Sequence, residues 1–377
     1  MGVLALDRGA WKTLGMRGKQ VRQLAMLSSL SPEDLIPSGH PIRRIRQVVD
    51  LVLAELDGEF EAMYAAGGRP SVPPEQLLKA TVLMALYSIR SERQFCERLN
   101  YDLLFKWFLG LAIDDRAFDA STFTKNRDRL LDHDIADQFF AAVVAQARLR
   151  RYLSSDHFSV DGTVLEAWAS HKSFKPKDRD PNEPSLPGRN AEQDFHGEKR
   201  SNKTHESTTD PEARLYRKSA AAPAKMAYLG HLLMEHRNGL IVDMELTQAD
   251  GYGERAAALK MIDRLPTTRR RRTVAADKAY DTADFVRDCR ERGFTPHVSQ
   301  NTNGRRSAID GRTTRHPGHQ VSLRIRKRIE EPFGWAKTIG GARKLRYKGR
   351  ERNKTWWLLT GAVYNIVRIT ALDTATA

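Results

Sequence analysis

The stretch HFSVDGT, residues 157–163, reads as a buried β-strand that carries an aspartate, Asp161, in its middle. A carboxylate that leaves water destabilises a fold by several kcal/mol unless something pairs with it. Three explanations are open for this aspartate: an Asp-Gly turn, a salt bridge with a basic side chain, or a metal ion. The first two are common in proteins, so the choice depends on what the rest of the chain supplies.

The chain on either side of this stretch predicts two architectures. Residues 1–151 show apolar side chains at helical spacing and read as an all-α domain for DNA binding or assembly. From residue 152 onward, strands and helices alternate, and Asn238-Gly239 predicts a hairpin between two of the strands. This order favours an α/β fold, a mixed sheet with helices on its faces.

The change of pattern also suggests domain boundaries. We expect the sheet domain to comprise residues 152–172 and 225–377, after the helical domain of residues 1–151. Residues 173–224 are polar and proline-rich with almost no apolar periodicity. They are therefore predicted to be an insertion that is partly disordered.

Two further acids stand at comparable places in the predicted sheet domain. Asp277 follows the apolar strand TVAA (273–276), and Glu330 lies in a predicted helix. Each of the three acids alone has an ordinary explanation, such as a turn, a helix cap or a solvated helix face. Together they suit hard divalent cations, and two such ions about 3.5–4 Å apart stabilise the attacking and leaving oxygens of a phosphoryl displacement.

The helix around Glu330 carries a stripe of side chains suited to a phosphodiester. At 3.6 residues per turn, four positions fall on one face: Arg326, Glu330, Phe333 and Lys337. A carboxylate on this face would hold a cation while the neighbouring bases bind phosphate oxygens. Pro332 cannot donate to the carbonyl of Arg328, which predicts a kink or loosened turn beside Glu330.

Charge points to a polyanionic partner. The chain has a net charge of +15, and residues 301–354 hold 16 Lys and Arg against 4 acids, or +12 of that total. We expect double-stranded DNA to lie on this block. The candidate DNA-binding residues are Arg324, Arg326, Arg328, Lys337, Arg343, Lys344, Arg346 and Lys348.

Several other classes of protein are disfavoured. The longest apolar runs are shorter than the roughly 18 residues of a spanning helix, and the first residues do not form a signal peptide. Only Cys96 and Cys289 are present, which excludes a disulfide framework and a cysteine zinc site. We therefore expect a cytoplasmic protein, associated with the nucleoid of a bacterium, and no membrane partner.

These motifs together resemble the DDE transposases of bacterial insertion sequences, which have a ribonuclease-H-like catalytic domain. The resemblance rests on SVDGT (159–163), ADKAYD (276–281) and the R-x3-E-x6-K pattern that begins at Arg326. The stretch RPSVPPEQLLKATVLMALYSIRSERQFCERL also resembles the helical domain that precedes that catalytic domain. One position departs from the family pattern, because Leu323 stands where the family often has tyrosine.

The resemblance implies a mechanism. Asp161, Asp277 and Glu330 would be the catalytic residues and would bind two Mg²⁺ or Mn²⁺ ions. Water would then cut the end of the element, and the freed 3′-hydroxyl would attack target DNA. Arg326 and Lys337 would steady the DNA strand near the cut. Such enzymes work on the terminal repeats of their element as homodimers or larger synaptic assemblies.

Other functions remain open at this stage. A metal-dependent DNA nuclease would use the same chemistry without strand transfer. A domesticated DNA-binding protein would keep the fold, although three intact acids speak against the loss of catalysis. A basic protein of the membrane surface is disfavoured because the sequence lacks an amphipathic, lipid-facing helix.

Overall fold

The computed structural model describes residues 31–64, 67, 71–178, 200–217, 221–251 and 253–376. The first thirty residues of the predicted helical domain lie outside the described residues. So do residues 179–199 and 218–220 of the predicted insertion, and the expectation of partial disorder falls largely on these.

The chain before the sheet is helical, as the spacing of its apolar residues predicts. Ser31 begins the first helix with a capping box. Its hydroxyl accepts a hydrogen bond from the Glu33 N–H, and the Asp34 carboxylate accepts one from the Ser31 N–H. Gly110, at a φ of +75°, ends α6 in the left-handed region. The helices are α1 Pro32–Leu35, α2 Pro41–Glu55, α3 Asp57–Ala62, α4 Pro74–Leu86, α5 Glu92–Leu99, α6 Leu103–Leu109, α7 Ala120–Asp132 and α8 Ile135–Leu149.

The second region contains the sheet. Its strands are β1 His157–Glu166, β2 Phe174–Pro176, β3 His205–Ser207, β4 Arg214–Tyr216, β5 Lys225–Glu235, β6 Ile241–Gln248, β7 Arg272–Ala276 and β8 Phe294–Val298. The main sheet has the order β6-β5-β1-β7-β8, with β4 beside the first residues of β5. Strands β1, β5 and β6 are antiparallel, whereas β1, β7 and β8 are parallel. This is the predicted ribonuclease-H-like mixed sheet.

The predicted hairpin joins β5 to β6. Gly239 occupies the left-handed region at a φ of +73°, which a side chain rarely adopts, so the Asn-Gly pair fits the turn. Strand β5 is buried along almost its whole length because it is central in the sheet.

Part of the predicted insertion has regular structure. Strands β2 and β3 pair as a two-stranded sheet, and β4 pairs with β5 of the main sheet. The buried Asp210 accepts a hydrogen bond of 2.8 Å from the hydroxyl of Tyr228 on β5. These strands have only three residues each, too few to show the alternation from which a strand is predicted.

Helices cover both faces of the sheet. They are α9 Gly253–Asp263, α10 Ala283–Glu291, α11 Gly311–Thr314, α12 Pro317–Arg326, α13 Glu330–Thr338 and α14 Arg350–Thr376. Val160 of β1 packs in one apolar cluster with Met261 of α9, and Leu165 packs in another with Trp357 of α14. Because side chains alternate along a strand, α9 and α14 lie on opposite faces.

Helix α14 joins the helical region to the sheet through a shared apolar core. Its Trp356 and Trp357 are buried in the same cluster as side chains of α2, α4 and α8. At Gly361 a Cβ atom would lie 2.0 Å from Met244 Sδ of β6, so a larger residue here would require the Met244 side chain to move. Across the described ranges, none of the helices is both long and apolar enough to span a membrane.

The two cysteines lie on helices, as predicted. Cys96 of α5 and Cys289 of α10 are both buried and both carry free thiols. Burial raises the pKa of the Cys96 thiol to about 11 and that of Cys289 to about 12. Both thiols therefore stay protonated and act as small apolar groups of the core.

Candidate active site

Asp161 and Asp277 are brought together by two neighbouring parallel strands. Strands β1 and β7 pair in register up to Ser159 and Ala275, and each aspartate follows two residues after this last pair. Side chains two residues apart on a strand project from the same face. The two aspartates therefore lie near each other at the carboxyl end of β7, close enough for the charge of Asp277 to raise the pKa of Asp161.

Asp161 is held in a half-buried position on β1. The Gly162 N–H donates to its Oδ1 at 2.8 Å, and Arg326 Nη1 lies 3.4 Å from its Oδ2. Burial raises the pKa of the Asp161 carboxyl to about 6, with the charges of Asp277 and Glu330 adding to the rise. The Gly162 hydrogen bond and the Arg326 charge act in the opposite direction. The Asp161 carboxylate thus forms a salt bridge with Arg326, but the charges of Asp277 and Glu330 leave an excess of negative charge around it.

Asp277 has a structural contact as well. Its Oδ1 accepts a 2.8 Å hydrogen bond from Ala279 N–H and so caps a 3₁₀ turn, Lys278–Tyr280. The other acid of the ADKAYD motif, Asp281, is buried and accepts from the N–H groups of Asn301 and Ala308. Asp281 therefore anchors the following loop, and Asp277 is the acid of this motif whose charge raises the pKa of Asp161.

The helical stripe is attached to β1 at two points. Arg326, the last residue of α12, reaches Asp161, and Lys337 of α13 places its Nζ 2.5 Å from Thr163 Oγ1. Asp161 and Thr163 lie on the same face of β1 because they are two residues apart. Glu330 lies between Arg326 and Lys337 in the sequence, and its charge acts on Asp161.

Glu330 stands at a break in its helix. A 3₁₀ turn, Lys327–Ile329, separates α12 from α13, and Glu330 is the first residue of α13. The break lies one turn before Pro332, which agrees with the loosened turn predicted from the missing N–H of that proline. Glu330 is exposed, and its charge raises the pKa of Asp161.

The three acids suit a divalent ion by type. Carboxylate oxygens are the donors that Mg²⁺ and Mn²⁺ prefer, and mutual repulsion that raises the pKa of Asp161 is relieved by a bound cation. Among the described residues, however, no group of three or more His, Cys, Asp or Glu side chains is gathered closely enough to hold a metal ion. Arg326 occupies the position beside Asp161 instead.

The predicted DNA-binding residues of the helical stripe divide by exposure. Arg324 of α12 is exposed, whereas Arg328 is partly covered. Arg328 donates from Nη1 to the carbonyl of His236 at 3.5 Å, and its Nε lies 3.9 Å from Glu331. Arg328 therefore braces the broken helix against the end of β5, and Arg324 is the more accessible cation.

The remaining candidates follow α13. Arg343 and Lys348 are exposed, and Lys344 lies with its Nζ 5.9 Å from the ring centroid of the exposed Trp168. Arg346 is different, because its guanidinium carbon lies 3.5 Å from the ring centroid of the buried Trp356. Burial lowers the pKa of Arg346 to about 10, so this arginine belongs to the core more than to the surface.

Thr163 is a site residue that the sequence did not single out. Its hydroxyl receives Lys337, and its position two residues after Asp161 is the only signal that the sequence offers. A threonine within a strand has many ordinary uses, so that signal becomes informative only when the partner on the helix is known.

Among solved structures, the chain is similar to a piggyBac transposase synaptic complex with hairpin DNA, with 10% sequence identity, 89% of this chain and 76% of that chain covered, and a TM-score of 0.42. It is also similar to a Mos1 transposase paired-end complex with left transposon end, with 8% identity, 72% and 80% covered, and a TM-score of 0.19. No curated protein matches the chain.

Two family models match the sequence itself. The model described as Transposase domain (DUF772) matches residues 30–129, within the helical region. The model described as Transposase DDE domain matches residues 155–366, more than half of the chain and the whole of the main sheet. The family resemblance seen in the motifs is thereby confirmed: this chain belongs to the DDE transposases of insertion sequences and is an enzyme, a DNA transposase.

Proposed function

We propose that Asp161, Asp277 and Glu330 are the acids with which this transposase binds two Mg²⁺ or Mn²⁺ ions and cuts and joins DNA. The observation that supports the proposal is the register of β1 and β7, which ends two residues before Asp161 and Asp277, together with the charges of Asp277 and Glu330 that act on Asp161. When bound, such ions activate water and stabilise the charge that develops on the phosphodiester.

The side chains around these acids have roles of their own. Arg326 neutralises Asp161 in the free protein, and its planar guanidinium is suited to leave the carboxylate for a phosphate oxygen when DNA arrives. Lys337 keeps the helix on β1 through Thr163 and supplies a second cation near the cut. Burial raises the pKa of Asp161 and so disfavours its ionised form. Neighbouring cations such as Arg326 favour the ionised carboxylate.

The partner is double-stranded DNA, both the terminal repeats of the element and its target. The exposed Arg324, Arg343 and Lys348 supply phosphate contacts around the acids. The helical residues 1–151 would bind repeat sequence and assemble a homodimer or larger synaptic complex, in the bacterial cytoplasm at the nucleoid. Residues 152–172 and 225–377 would form the catalytic domain.

A cleavage and joining assay tests the proposal. The substrates are DNA duplexes from the ends of the element that encodes this chain, together with a supercoiled target plasmid. We expect Mg²⁺-dependent nicks at the element ends and covalently joined products in the target. Asp161→Asn, Asp277→Asn and Glu330→Gln should abolish both while end binding persists in EDTA.

Each outcome separates the alternatives. Cleavage without joined products would identify a nuclease in place of a strand-transfer enzyme. End binding without cleavage by the unaltered protein, in Mg²⁺ or Mn²⁺, would indicate a domesticated DNA-binding protein. Full cleavage by any one of the three variants would remove that residue from the site. Asp284→Asn, a change to an aspartate of α10 whose side chain is 80% exposed, serves as the matched control.

A further inference from the structure

An open cleft lies where the helical region meets the segment of residues 339–349, which joins α13 to α14. It has an empty volume of about 660 Å³ and is lined by residues of α5, α7, the α4–α5 connection and this segment. Four of the lining residues are arginines, namely Arg90, Arg93, Arg127 and Arg346. Of the described residues in the wall, Glu92 is the one acid. The cleft therefore collects more positive than negative charge.

Glu92 is already fully used by donors within the fold. Its Oε1 accepts hydrogen bonds from Arg127 Nη1 and from the Tyr347 hydroxyl, the latter at 3.0 Å. Its Oε2 accepts from Thr124 Oγ1 at 2.7 Å. Because Arg127 forms the ion pair with Glu92, this acid balances one arginine of the wall and leaves the charge of the other three uncompensated.

Arg346 lies behind the surface of the cleft. Its guanidinium stacks on the ring of Trp356, and its three nitrogen atoms are shielded from solvent without a hydrogen-bond partner among the described residues. Tyr347 is nearby, but its hydroxyl bonds to Glu92 instead. A buried cation is unfavourable unless an anion or a polar group is close to it, so a negatively charged ligand is expected at this wall.

Arg90 brings a second positive charge to the same place. Its side chain and that of Arg346 meet at Gly341, where a Cβ atom would lie 3.7 Å from both Arg90 Cγ and Arg346 Nη2. Arg90 Nη2 donates to the carbonyl of Lys344 at 2.5 Å, which attaches the α4–α5 connection to the segment after α13. Burial lowers the pKa of Arg346, and the charge of Arg90 lowers it further. The fold thus holds like charges together that an anion would stabilise.

We propose that this cleft binds one backbone phosphate of the element-end DNA, with Arg90 and Arg93 contacting its oxygens and Arg346 supplying an uncompensated charge behind them. The inference rests on the proposed function, because it assumes that element ends are the DNA partner. Guanidinium groups are well suited to phosphate oxygens, and Arg93 is exposed at the start of α5. The exposed Arg343 and Lys348 belong to the same segment as Arg346, so a duplex bound here would contact both regions of the chain.

The test replaces the phosphates of an element-end duplex one at a time by uncharged methylphosphonate and measures binding of the full chain in EDTA. We expect one position at which the replacement weakens binding by the unaltered protein a few-fold but has no further effect on Arg93→Gln. Arg90→Gln combined with Arg93→Gln should reduce the slope of log Kd against log salt by roughly 1, because both arginines bind the same phosphate. A reduction of roughly 2 would overturn the shared phosphate.

Arg346→Met tests the buried charge separately, because it removes the guanidinium but keeps an unbranched side chain beside Trp356. It should weaken end binding a few-fold and reduce the effect of methylphosphonate at the same position. Unaltered affinity in Arg346→Met, with thermal unfolding that shows a folded protein, would overturn the role of Arg346. The matched control is Arg287→Gln, which removes a positive charge that is 58% exposed on α10, outside the cleft. If Arg287→Gln also abolished the effect at that phosphate, the cause would be net charge and the inference would be overturned.

The unaltered protein separates this inference from the function on which it rests. If it binds element ends and every methylphosphonate weakens Arg93→Gln as much as the unaltered protein, only the phosphate site in the cleft fails. If the unaltered protein does not bind element ends more tightly than a duplex of unrelated sequence, the proposed partner itself fails and the inference falls with it.

Discussion

The two halves of the candidate site are held in place by different means. Asp161 and Asp277 are fixed by the backbone, because β1 and β7 are hydrogen-bonded in register up to two residues before them. Glu330 stands at the start of α13 after a 3₁₀ turn, and its helix is attached to β1 by the side chains of Arg326 and Lys337. The strand-borne half of the site, Asp161 and Asp277, is therefore part of the sheet. The helix-borne half, Glu330 with Arg326 and Lys337, is attached to the sheet by side chains.

This difference indicates how the site is completed. A strand pair keeps its register unless the sheet itself is disrupted, so the aspartates are already placed in the free protein. The contacts of Arg326 and Lys337 use cations that also bind phosphate, so DNA competes for them. Binding of DNA and ions would thus change the helix-borne half while leaving the strand-borne half in place.

The largest expected effect comes from the carboxylates. Asp161→Asn and Glu330→Gln should each lower the cleavage rate on the order of a thousandfold, because a lost ligand removes several kcal/mol of transition-state stabilisation. Because the two halves are held differently, we expect the two variants to differ in metal binding when DNA is absent. Mn²⁺ binding without DNA should be lost in Asp161→Asn but only reduced in Glu330→Gln, as measured by calorimetric titration.

Equal loss of Mn²⁺ binding in the two variants would contradict the difference between the halves. It would mean that the helix-borne acid is as firmly placed as the strand-borne one before DNA binds. The exposed Asp284→Asn should match the unaltered protein in both measurements.

The next effect is on stability and follows from the raised pKa of Asp161. The ordinary pKa of 3.8 rises to about 6, chiefly through burial, so the folded state holds this proton more tightly than the unfolded chain. The contribution is favourable below pH 4 and is lost as the pH rises through 6. In EDTA, Asp161→Asn should therefore gain stability over the unaltered protein between pH 4 and 7, by at most about 3 kcal/mol.

Urea unfolding of the two proteins at pH 4 and pH 7 measures this difference. The buried histidines are common to both proteins, so their titration cancels in the comparison. Addition of Mg²⁺ at pH 7 should stabilise the unaltered protein and leave Asp161→Asn unchanged. A difference that is the same at both pH values would show that Asp161 does not titrate in this range.

Much of the fold could be predicted from the sequence because its signals are local. The alternation of strands and helices after residue 152, the Asn238-Gly239 turn and the apolar face of α4 each depend on residues near one another in the chain. Strands β2 and β3 escaped prediction because their stability comes from pairing across a long loop. Three residues carry no periodicity that could reveal them.

The local contacts of the candidate site could be predicted only in part, for similar reasons. The Arg326–Lys337 stripe follows from helical spacing, and SVDGT with its aspartate is a recognisable motif. The close approach of Glu254 to Gly162 and the hydrogen bond from Lys337 to Thr163 cannot be seen in the sequence, because the contacting residues lie far apart along the chain. Likewise, the sequence could not distinguish the exposed Arg343 from Arg346, which packs on Trp356.

A smaller effect should follow from the attachment of the helix to β1. Lys337→Met and Thr163→Val each remove the contact between Nζ and Oγ1, a charged hydrogen bond of about 1.5–3 kcal/mol, so cleavage should fall roughly tenfold or more in each. If the contact itself matters, the double variant should be no worse than the poorer single variant. Single-turnover cleavage at saturating DNA provides the measurement.

Thr338→Val is the matched control for this pair. Its hydroxyl donates to the Gly334 carbonyl within α13, so its loss should leave the rate within about twofold, the small effect expected of an exposed substitution. A much larger effect of Lys337→Met than of Thr163→Val would show that Lys337 acts mainly on DNA. The helix would then be held on the strand by Arg326 and by packing.

The smallest effect should come from the exposed cation of the helix-borne half. Arg324→Ala should weaken binding to element ends only a few-fold at low salt and reduce the slope of log Kd against log salt by roughly 1, the loss of one phosphate contact. Arg287 of α10 offers a matched control, because it is exposed and forms ion pairs with Asp284, Asp288 and Glu291 of its own helix. Arg287→Ala should leave the slope unchanged. If the two arginines had equal effects, DNA would not favour the helix-borne half, and the expectation that DNA completes that half would lose its support.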